Sequence, residues 1–386
     1  MPDGTAQLTF ALHPRIAEIG QAAWDACAGD QTPFVSYGFL SALEDSGSVG
    51  RRSGWHPRHA VLQSPDGEIL AVAPAYAKTN SQGEYVFDHS WANALHQAGG
   101  KYYPKLQVAV PFSPVPGRRI LAKPGFPVAT MAGALVQAAE QLNCSSVHAT
   151  FCTEAEWHEF GQAGWLRRLG TQFHWDNNGY KSFDDFLAAL SSRKRKAIKR
   201  ERRDAGAGLT FKAVSGADLT PQIWSAFYQF YLSTVDRKWG GAYLTREFFT
   251  LLGERIGDKV VLMIAERDGT PIAGALNLRG KDALYGRNWG ASEEVPFLHF
   301  ELCYYQAIDY AIAHNLSRVE AGAQGEHKIQ RGYTPKPTYS AHWIEHPGLS
   351  RAVAEFLDAE RPAMLRAMAE MEADSPYKKE GQAVAF

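Results

Sequence analysis

The sequence predicts a mixed α/β protein built as two domains, and three observations carry that expectation. The chain has 386 residues, more than a single hydrophobic core comfortably serves. Apolar runs of strand character alternate with stretches whose apolar residues recur at helical spacing. In the first half these read as strands around a turn, then helix, strand, helix and strand. The second half returns to that layout without repeating the sequence.

Taken in order, PFVSYGFLSALEDSG (33–47) places Phe34, Leu40 and Leu43 on a short helical face that ends at glycine. RHAVLQS and EILAVAPAYA flank Pro-Asp-Gly at 65–67 and predict a hairpin. Tyr85, Val86 and Phe87 have the β-favouring side chains of a buried strand. The alanine-rich stretch 129–143 predicts a helix, 145–151 a strand, the segment opened by Thr153 a helix, and LGTQFHWDN another strand. Ser182 followed by Asp185 opens a helix that Gly206 and Gly208 stop. Its segment 193–203 carries eight basic residues on nearly all sides. The expected boundary lies just beyond, giving domains 1–205 and 206–386.

In the second half 221–235 and 245–253 predict helices, and 259–291 predicts three strands joined at Asp268-Gly269 and Gly280-Lys281-Asp282. Leu298, Leu302, Tyr305, Ile308 and Ile312 form one apolar stripe of a helix over 297–314. Strands near 318–323 and at TYSAHWI follow, then a helix from about Leu349 and a disordered tail after about Asp374.

Composition narrows the function classes. With 45% hydrophobic and 21% charged residues the chain is of ordinary globular type. Its 40 basic and 41 acidic residues give a net charge of −1. That argues against nucleic-acid binding by the whole surface and leaves room for a local basic patch. Cys27, Cys144, Cys152 and Cys303 form no CxxC pair and read as buried thiols of a reducing compartment. No apolar run of about 18 residues is present, and MPDGTAQLTF lacks the layout of a signal peptide. The expected location is cytoplasmic. No metal cluster or GxSxG motif is evident, so no metal site is expected.

Two groups of residues stand out. GEYVFDHSWANALHQAGGKYYPKL supplies Glu84, Asp88, His89, Trp91, Lys101, Tyr102, Tyr103 and Lys105. Carboxylates can hold an ammonium, lysines a carboxylate or phosphate, and aromatics a flat or sugar-like face. This is expected to be one wall of an acceptor pocket, facing the second domain across a cleft. In the second half Glu320, His327 and Lys328 follow a strand in a Gly-rich loop. Glu320 or His327 suits proton abstraction from an amine, and Lys328 suits stabilising negative charge.

The chain resembles the FemAB-like family labelled peptidoglycan biosynthesis/recognition, and more broadly the Fem-type aminoacyl-tRNA-dependent transferases. The residues that carry the likeness are SQGEYVFDHSWA, GGKYYPKLQVAVPFSPVPGRRIL, HWDNNGYKSFDDFLAALSSRKRKAIKRER, YGRNWGA and EAGAQGEHKIQRGY. The resemblance implies two tandem GNAT-like acyltransferase domains with a connecting basic helix. It also implies an N-acyltransferase or aminoacyltransferase forming an amide by direct attack of an amine. The acyl donor, a co-substrate rather than a tightly bound cofactor, would be aminoacyl-tRNA, acyl-CoA or a carrier thioester. Donor contacts are expected at Arg287, Asn288 and Trp289, and at Arg195 and Lys199 of the basic helix, which would meet a tRNA or a carrier protein.

Two departures are visible. The turn expected to hold a CoA diphosphate is only half matched by Arg287–Ser292, and Glu293 and Glu294 follow it. At the family's lysine, aligning the lysine itself selects Lys328, whereas aligning Arg-Gly-Tyr selects Gln330. The alternative function is a catalytically inactive protein of the same fold that recognises a cell-wall or phosphate-bearing ligand.

Overall fold

A computed structural model describes residues 8–238, 241–322 and 325–378. The chain divides into two compact units. The first comprises Met1–Gly170, Tyr243–Phe248 and Pro337–Leu365. The second comprises Thr171–Ala242, Phe249–Lys336 and Arg366–Phe386.

The first unit opens with β1 (Thr9–His13), α1 (Gln21–Ala28), α2 (Tyr37–Asp45) and β2 (Trp55–Pro57). β3 (His59–Gln63) and β4 (Ile69–Ala73) form the expected hairpin. Then come β5 (Ala75–Lys78), α3 (His89–Gln97), β6 (Lys105–Val108), β7 (Leu121–Ala122), α4 (Val128–Gln141), β8 (Ser146–Cys152) and α5 (Glu154–Gln162). α5 begins in a full capping box, Thr153 with Glu156. β1, β3, β4 and β7 make one sheet, and β2, β5, β6 and β8 follow one another in another.

β9 (Leu166–Asp176) leads into the second unit, which contains α6 (Phe183–Ala189), α7 (Ser192–Ala205), β10 (Thr210–Val214), α8 (Pro221–Lys238) and most of α9 (Arg246–Ile256). Its remaining elements are β11 (Val260–Arg267), β12 (Thr270–Arg279), β13 (Ala283–Ala291), α10 (Leu298–Phe300), a π-helical turn over Glu301–Tyr305, α11 (Gln306–Ala313) and β14 (Arg318–Glu320). The strand order here is β10-β11-β12-β13-β14-β9. β15 (Thr334–Ile344) returns to the first unit, where it pairs with β8. α12 (Pro347–Ala373) follows. The two mixed α/β units expected from the sequence are present, each with one parallel strand pair in its sheet.

Four expectations need correction. The units do not divide at residue 205, because the chain changes unit inside β9 and β15, and the basic helix α7 lies wholly within the second unit. Tyr85–Phe87 is a loop, with Tyr85 at a φ of 61°, in the left-handed region that strand residues seldom occupy. The helix opened by Ser182 ends at Ala189, since Leu190 is extended and fully buried. Ser191 then donates to the Pro376 carbonyl, and Lys378 donates to that of Ala189. That contact also orders the start of the tail, where the Tyr377 hydroxyl donates to the Gly332 carbonyl at 2.8 Å. Residues 379–386 lie outside the described residues.

The predicted stripe Leu298, Leu302, Tyr305, Ile308 and Ile312 is buried, against Trp175, Phe186, Val261, Leu284 and Val319. Opposite that core, Gly290 of β13 passes so close to α8 that a Cβ would sit 1.8 Å from the Phe230 carbonyl oxygen. Backbone cannot yield as a side chain can. Gly290→Ala should therefore destabilise the chain by at least about 2 kcal/mol, read as a lower urea midpoint at unchanged slope.

Candidate functional site

Each unit contains a parallel strand pair that separates after three residue pairs. In the first unit β6 and β8 pair at Leu106–Val147, Gln107–His148 and Val108–Ala149. In the second, β13 and β14 pair at Ala283–Arg318, Leu284–Val319 and Tyr285–Glu320, where β14 ends. Polar residues gather beside both.

In the first unit the two faces of the sheet differ in kind. Leu106, Val108, Val147, Ala149 and Ala341 pack on α4 and α5 as ordinary core. Cross-strand register puts Tyr76, Lys78, Lys105, Gln107, Ser146, His148, Thr150 and His342 on the other face. Every one of them is buried. Side chains alternate along a strand, so one face took the apolar residues and the other the chemistry.

The centre of that face is Lys105. Its ammonium donates to Ser81 Oγ at 3.0 Å, to Glu84 Oε2 at 2.7 Å and to Asp88 Oδ2. Tyr102 donates its hydroxyl to the same Asp88 oxygen at 2.7 Å, and Tyr103 and Ser81 share a 2.7 Å hydrogen bond. Burial by itself would raise Asp88, but Lys105 and His148 outweigh it and hold the carboxyl well below its ordinary value. Burial pushes Glu84 up to about 7, only partly countered by Lys105. Lys105 stays charged because the two carboxylates outweigh its own burial. Lys78 lies 4.0 Å over the Trp55 ring, and burial lowers its ammonium to about 7. His148 and His342 share a 2.7 Å Nδ1 to Nδ1 hydrogen bond, and burial keeps both neutral.

The structure thus brings together Glu84, Asp88, Tyr102, Tyr103 and Lys105. It does not bring in His89 and Lys101, which are exposed. Trp91 is buried among Leu95, Ile344 and Leu349, edge-on to His342, and is a core residue. Lys78, Gln107, His148 and His342 escaped the sequence reading. The signal was present in KLQV, SVHAT and SAHW, whose alternation reads as half-exposed strands but is buried on both sides.

In the second unit Glu320 closes β14. Arg318 Nε donates to its Oε1 at 2.8 Å, and Arg318 is itself held by Asp282 at 2.7 Å. Glu320 Oε2 is buried, makes no hydrogen bond among the described residues, and lies 3.8 Å from His174 Nε2 on β9. Burial pushes the Glu320 carboxyl up to about 7 against the pull of Arg318. Neither Arg318 nor His174 was singled out in sequence; Arg318 shares the Glu320 face two residues earlier on β14, and strand pairing alone brings in His174. Arg287 and Asn288 occupy a β-bulge: β12 spans Ala275 to Asn277 while β13 spans Trp289 to Gly286.

The remaining predicted residues differ in setting. Lys328 is buried and donates to the carbonyls of Ala321 and Gly322 at 2.7 and 3.0 Å, with burial lowering it to about 8. Its ammonium braces the loop after β14. His327 is exposed, with Nε2 2.9 Å from the Tyr304 hydroxyl. Glu293, expected to repel a diphosphate, is paired with Arg267 at 3.2 Å.

The basic helix is sided rather than charged all round. Arg202 turns inward to Glu301 and Asp309 at 2.9 and 2.7 Å, and Glu201 meets Arg331 at 2.9 Å. Arg193, Lys196, Lys199, Arg200 and Arg203 are exposed and fall within ~120° of arc. Lys199 pairs with exposed Asp184 at 3.1 Å, and Arg195 is half-buried. Among the described residues Arg193, Lys196 and Arg200 have no carboxylate partner.

The FemAB-like family, described as peptidoglycan biosynthesis/recognition, matches residues 15–379. The chain belongs to the FemAB-like family. Its fold is similar to that of FemX, with a TM-score of 0.54 and 12% identity, covering 86% of this chain and 98% of FemX. A second similar structure is the C-terminal domain of a protein of Agrobacterium fabrum described as a lysylphosphatidylglycerol synthetase. It has a TM-score of 0.52 and 12% identity, covering 88% of this chain and 95% of that domain. A conserved protein of unknown function from Bacteroides thetaiotaomicron has a TM-score of 0.53 and 9% identity, covering 86% and 99%. At these identities the likeness is one of fold. No curated protein matches the chain. No helix among the described residues of this FemAB-like protein is long and apolar enough to cross a membrane.

Proposed function

We propose that this FemAB-like protein is an amide-forming acyltransferase whose reaction takes place where β13 and β14 separate. The observation that carries the reading is Glu320. It is a buried carboxyl with one oxygen fixed by Arg318 and the other without a hydrogen bond among the described residues, at the end of the strand that opens the gap. A base with a value near 7 matches the task of taking a proton at neutral pH.

In the step proposed, the neutral amine attacks the acyl carbon. An N–C bond forms, the C–O or C–S bond to the donor breaks, Glu320 takes the amine proton, and that proton passes on to the leaving alcohol or thiol, which returns Glu320 to its ionised form. Backbone amides of the Arg287–Asn288 bulge are the candidates for holding the oxyanion. Lys328 positions the loop and does not touch the reacting atoms.

A phosphate-rich donor is supported by the outward stripe of α7, with aminoacyl-tRNA and acyl-CoA both suiting it. The family description makes a cell-wall peptide amine the first acceptor to try. The test supplies labelled aminoacyl-tRNA or acetyl-CoA with such an amine and follows labelled amide. Product from one donor, lost in Glu320→Gln, is the expected outcome. Donor binding without product from either would favour the inactive binding protein.

A further inference from the structure

We propose that the acceptor amine meets Glu320 uncharged, and that His174 sets this requirement. The acceptor class is then a weakly basic amine of the peptide α-amino type, not a lysine-type side-chain amine. This rests on the proposed transfer at Glu320 and deepens it by naming the chemistry of the acceptor.

The two kinds of acceptor differ in the protons they must lose. A neutral amine that becomes an amide N–H loses one, which Glu320 Oε2 can take and pass to the leaving group. An ammonium loses two while forming the same N–C bond. The second proton needs another base beside the first, and the side chains around Oε2 do not supply one.

Oε1 of Glu320 is held by Arg318 at 2.8 Å. Across from Oε2 lies His174, whose Nε2 is 3.8 Å from Oε2 and 3.4 Å from Gln172 Oε1. Glu320 and His174 are both buried. Burial lowers the imidazole to about 3, and Arg318, Lys336 and Lys328 push in the same direction. The ring therefore stands where a second base would be needed and is disabled as one. The carboxylates whose fields reach Glu320 are Asp282 on β13 and Asp176 on β9. Asp282 is paired with Arg318 and Asp176 with Lys336 of β15, each at 2.7 Å. Tyr285, opposite Glu320 on β13, accepts from Arg318 Nη2 at 3.4 Å.

The three cations that keep a proton off His174 also act against a substrate ammonium in its place. One carboxyl oxygen beside a neutral ring suits a neutral N–H donor instead. α-Amino groups titrate at about 7.7–8.0 and lysine side chains at about 10.4. At pH 7.5 the neutral fraction of the first exceeds that of the second roughly 200-fold. The greater reactivity of the more basic amine offsets part of that advantage.

The test uses the full chain with alanyl-alaninamide, whose amine is an amino terminus, and Nα-acetyllysinamide, whose amine is a side chain. Calorimetric titration at pH 8 in two buffers of different ionisation enthalpy counts the protons exchanged on binding. Binding of the neutral dipeptide amide should release roughly 0.3–0.5 proton, whereas binding of its ammonium would take protons up. The lysine derivative should bind at least about tenfold more weakly. With the labelled donor that supports transfer, kcat/KM should favour the dipeptide amide at least about tenfold at pH 7.5. The lysine derivative should gain about tenfold per pH unit up to pH 9.5, while the dipeptide amide levels off above pH 8. His174→Asp places a second carboxyl beside Oε2 and should cut the preference about tenfold. His174→Asn, neutral like the native ring, should keep it. If the aspartate variant folds poorly, the sign of proton exchange in the unaltered protein still decides.

Proton uptake on binding, no binding of either amine, equal use of the two acceptors at pH 7.5, or a preference that His174→Asp leaves unchanged would overturn the inference. Binding and transfer are read separately. Glu320-dependent transfer that prefers the lysine derivative overturns the acceptor class alone. Proton-releasing binding without transfer to either amine overturns the proposed reaction alone.

Discussion

Lys105→Met should cost the protein about 3–5 kcal/mol at neutral pH, the largest stability loss expected from any single substitution on the polar face of the first unit. The reason is what the lysine leaves behind. Glu84 and Asp88 are both buried and both accept hydrogen bonds from its ammonium. Methionine fills the space but returns neither charge nor donors, so two carboxyls face a low-dielectric interior with Tyr102 as the donor left to Asp88.

The deficit has a signed pH dependence. Asp88 is depressed in the folded wild type. Its contribution is present above its ordinary unfolded value, about 3.9, and fades as pH falls through the folded one. Without Lys105 both carboxyls can escape their penalty by protonating. The gap between variant and wild type should be widest near pH 8 and narrow towards pH 5. Urea melts at the two pH values measure it. Adding Glu84→Gln and Asp88→Asn to Lys105→Met should recover much of the loss. A deficit independent of pH and not recovered in the triple variant would mean that packing, not charge, is the function of this lysine.

How far the sequence carried can be judged from these residues. Helices were legible where the buried stripe was long, as from Leu298 to Ile312, or where a cap was local, as with Ser182 and Asp185; the short α1 and α3, each with one buried face, were missed. The candidate residues of the first unit were legible as a cluster because Glu84 to Lys105 is a short stretch. Their partition was not: Asp88 turns in and His89 turns out because α3 begins between them. Lys105 reaches carboxylates 21 and 17 residues away, a distance that no periodicity reports. His148 and His342 are 194 residues apart and touch only because β8 and β15 pair. The same limit applies to Glu320, which was expected in a Gly-rich loop after a strand and instead ends β14: Arg318, two residues before it, was within reach of the sequence, while His174 is supplied by register. Tyr85 shows the opposite failure. Its β propensity was real, but the buried anchoring of Glu84 and Asp88 on either side overrode it.

Glu320→Gln should slow transfer by about 10²–10⁴-fold while making the protein more stable above neutral pH, and that opposition is what separates a catalytic base from a structural ion pair. As a base, the carboxylate contributes on the order of 10²–10⁴ in rate, and glutamine cannot take the proton. The residual activity should also lose its acid limb. In the wild type kcat/KM should fall as pH drops below about 7, where Glu320 becomes protonated.

For stability the sign runs the other way. A carboxyl whose folded value is raised favours its neutral form in the native state. The wild type is unpenalised at pH 4 and becomes progressively less stable as pH rises from the unfolded value to about 7. Glutamine never ionises. At pH 8 the variant should therefore be the more stable, by on the order of 3 kcal/mol, less whatever Arg318 loses when only Asp282 and Tyr285 remain beside it. At pH 4 the two proteins should melt together. If Glu320 served only to neutralise Arg318, its removal would lower stability at pH 8 and leave the shape of the pH–rate profile unchanged. A gain in stability at pH 8 together with a loss of rate is the pairing that the proposed base requires, because only the ionised form can take the amine proton.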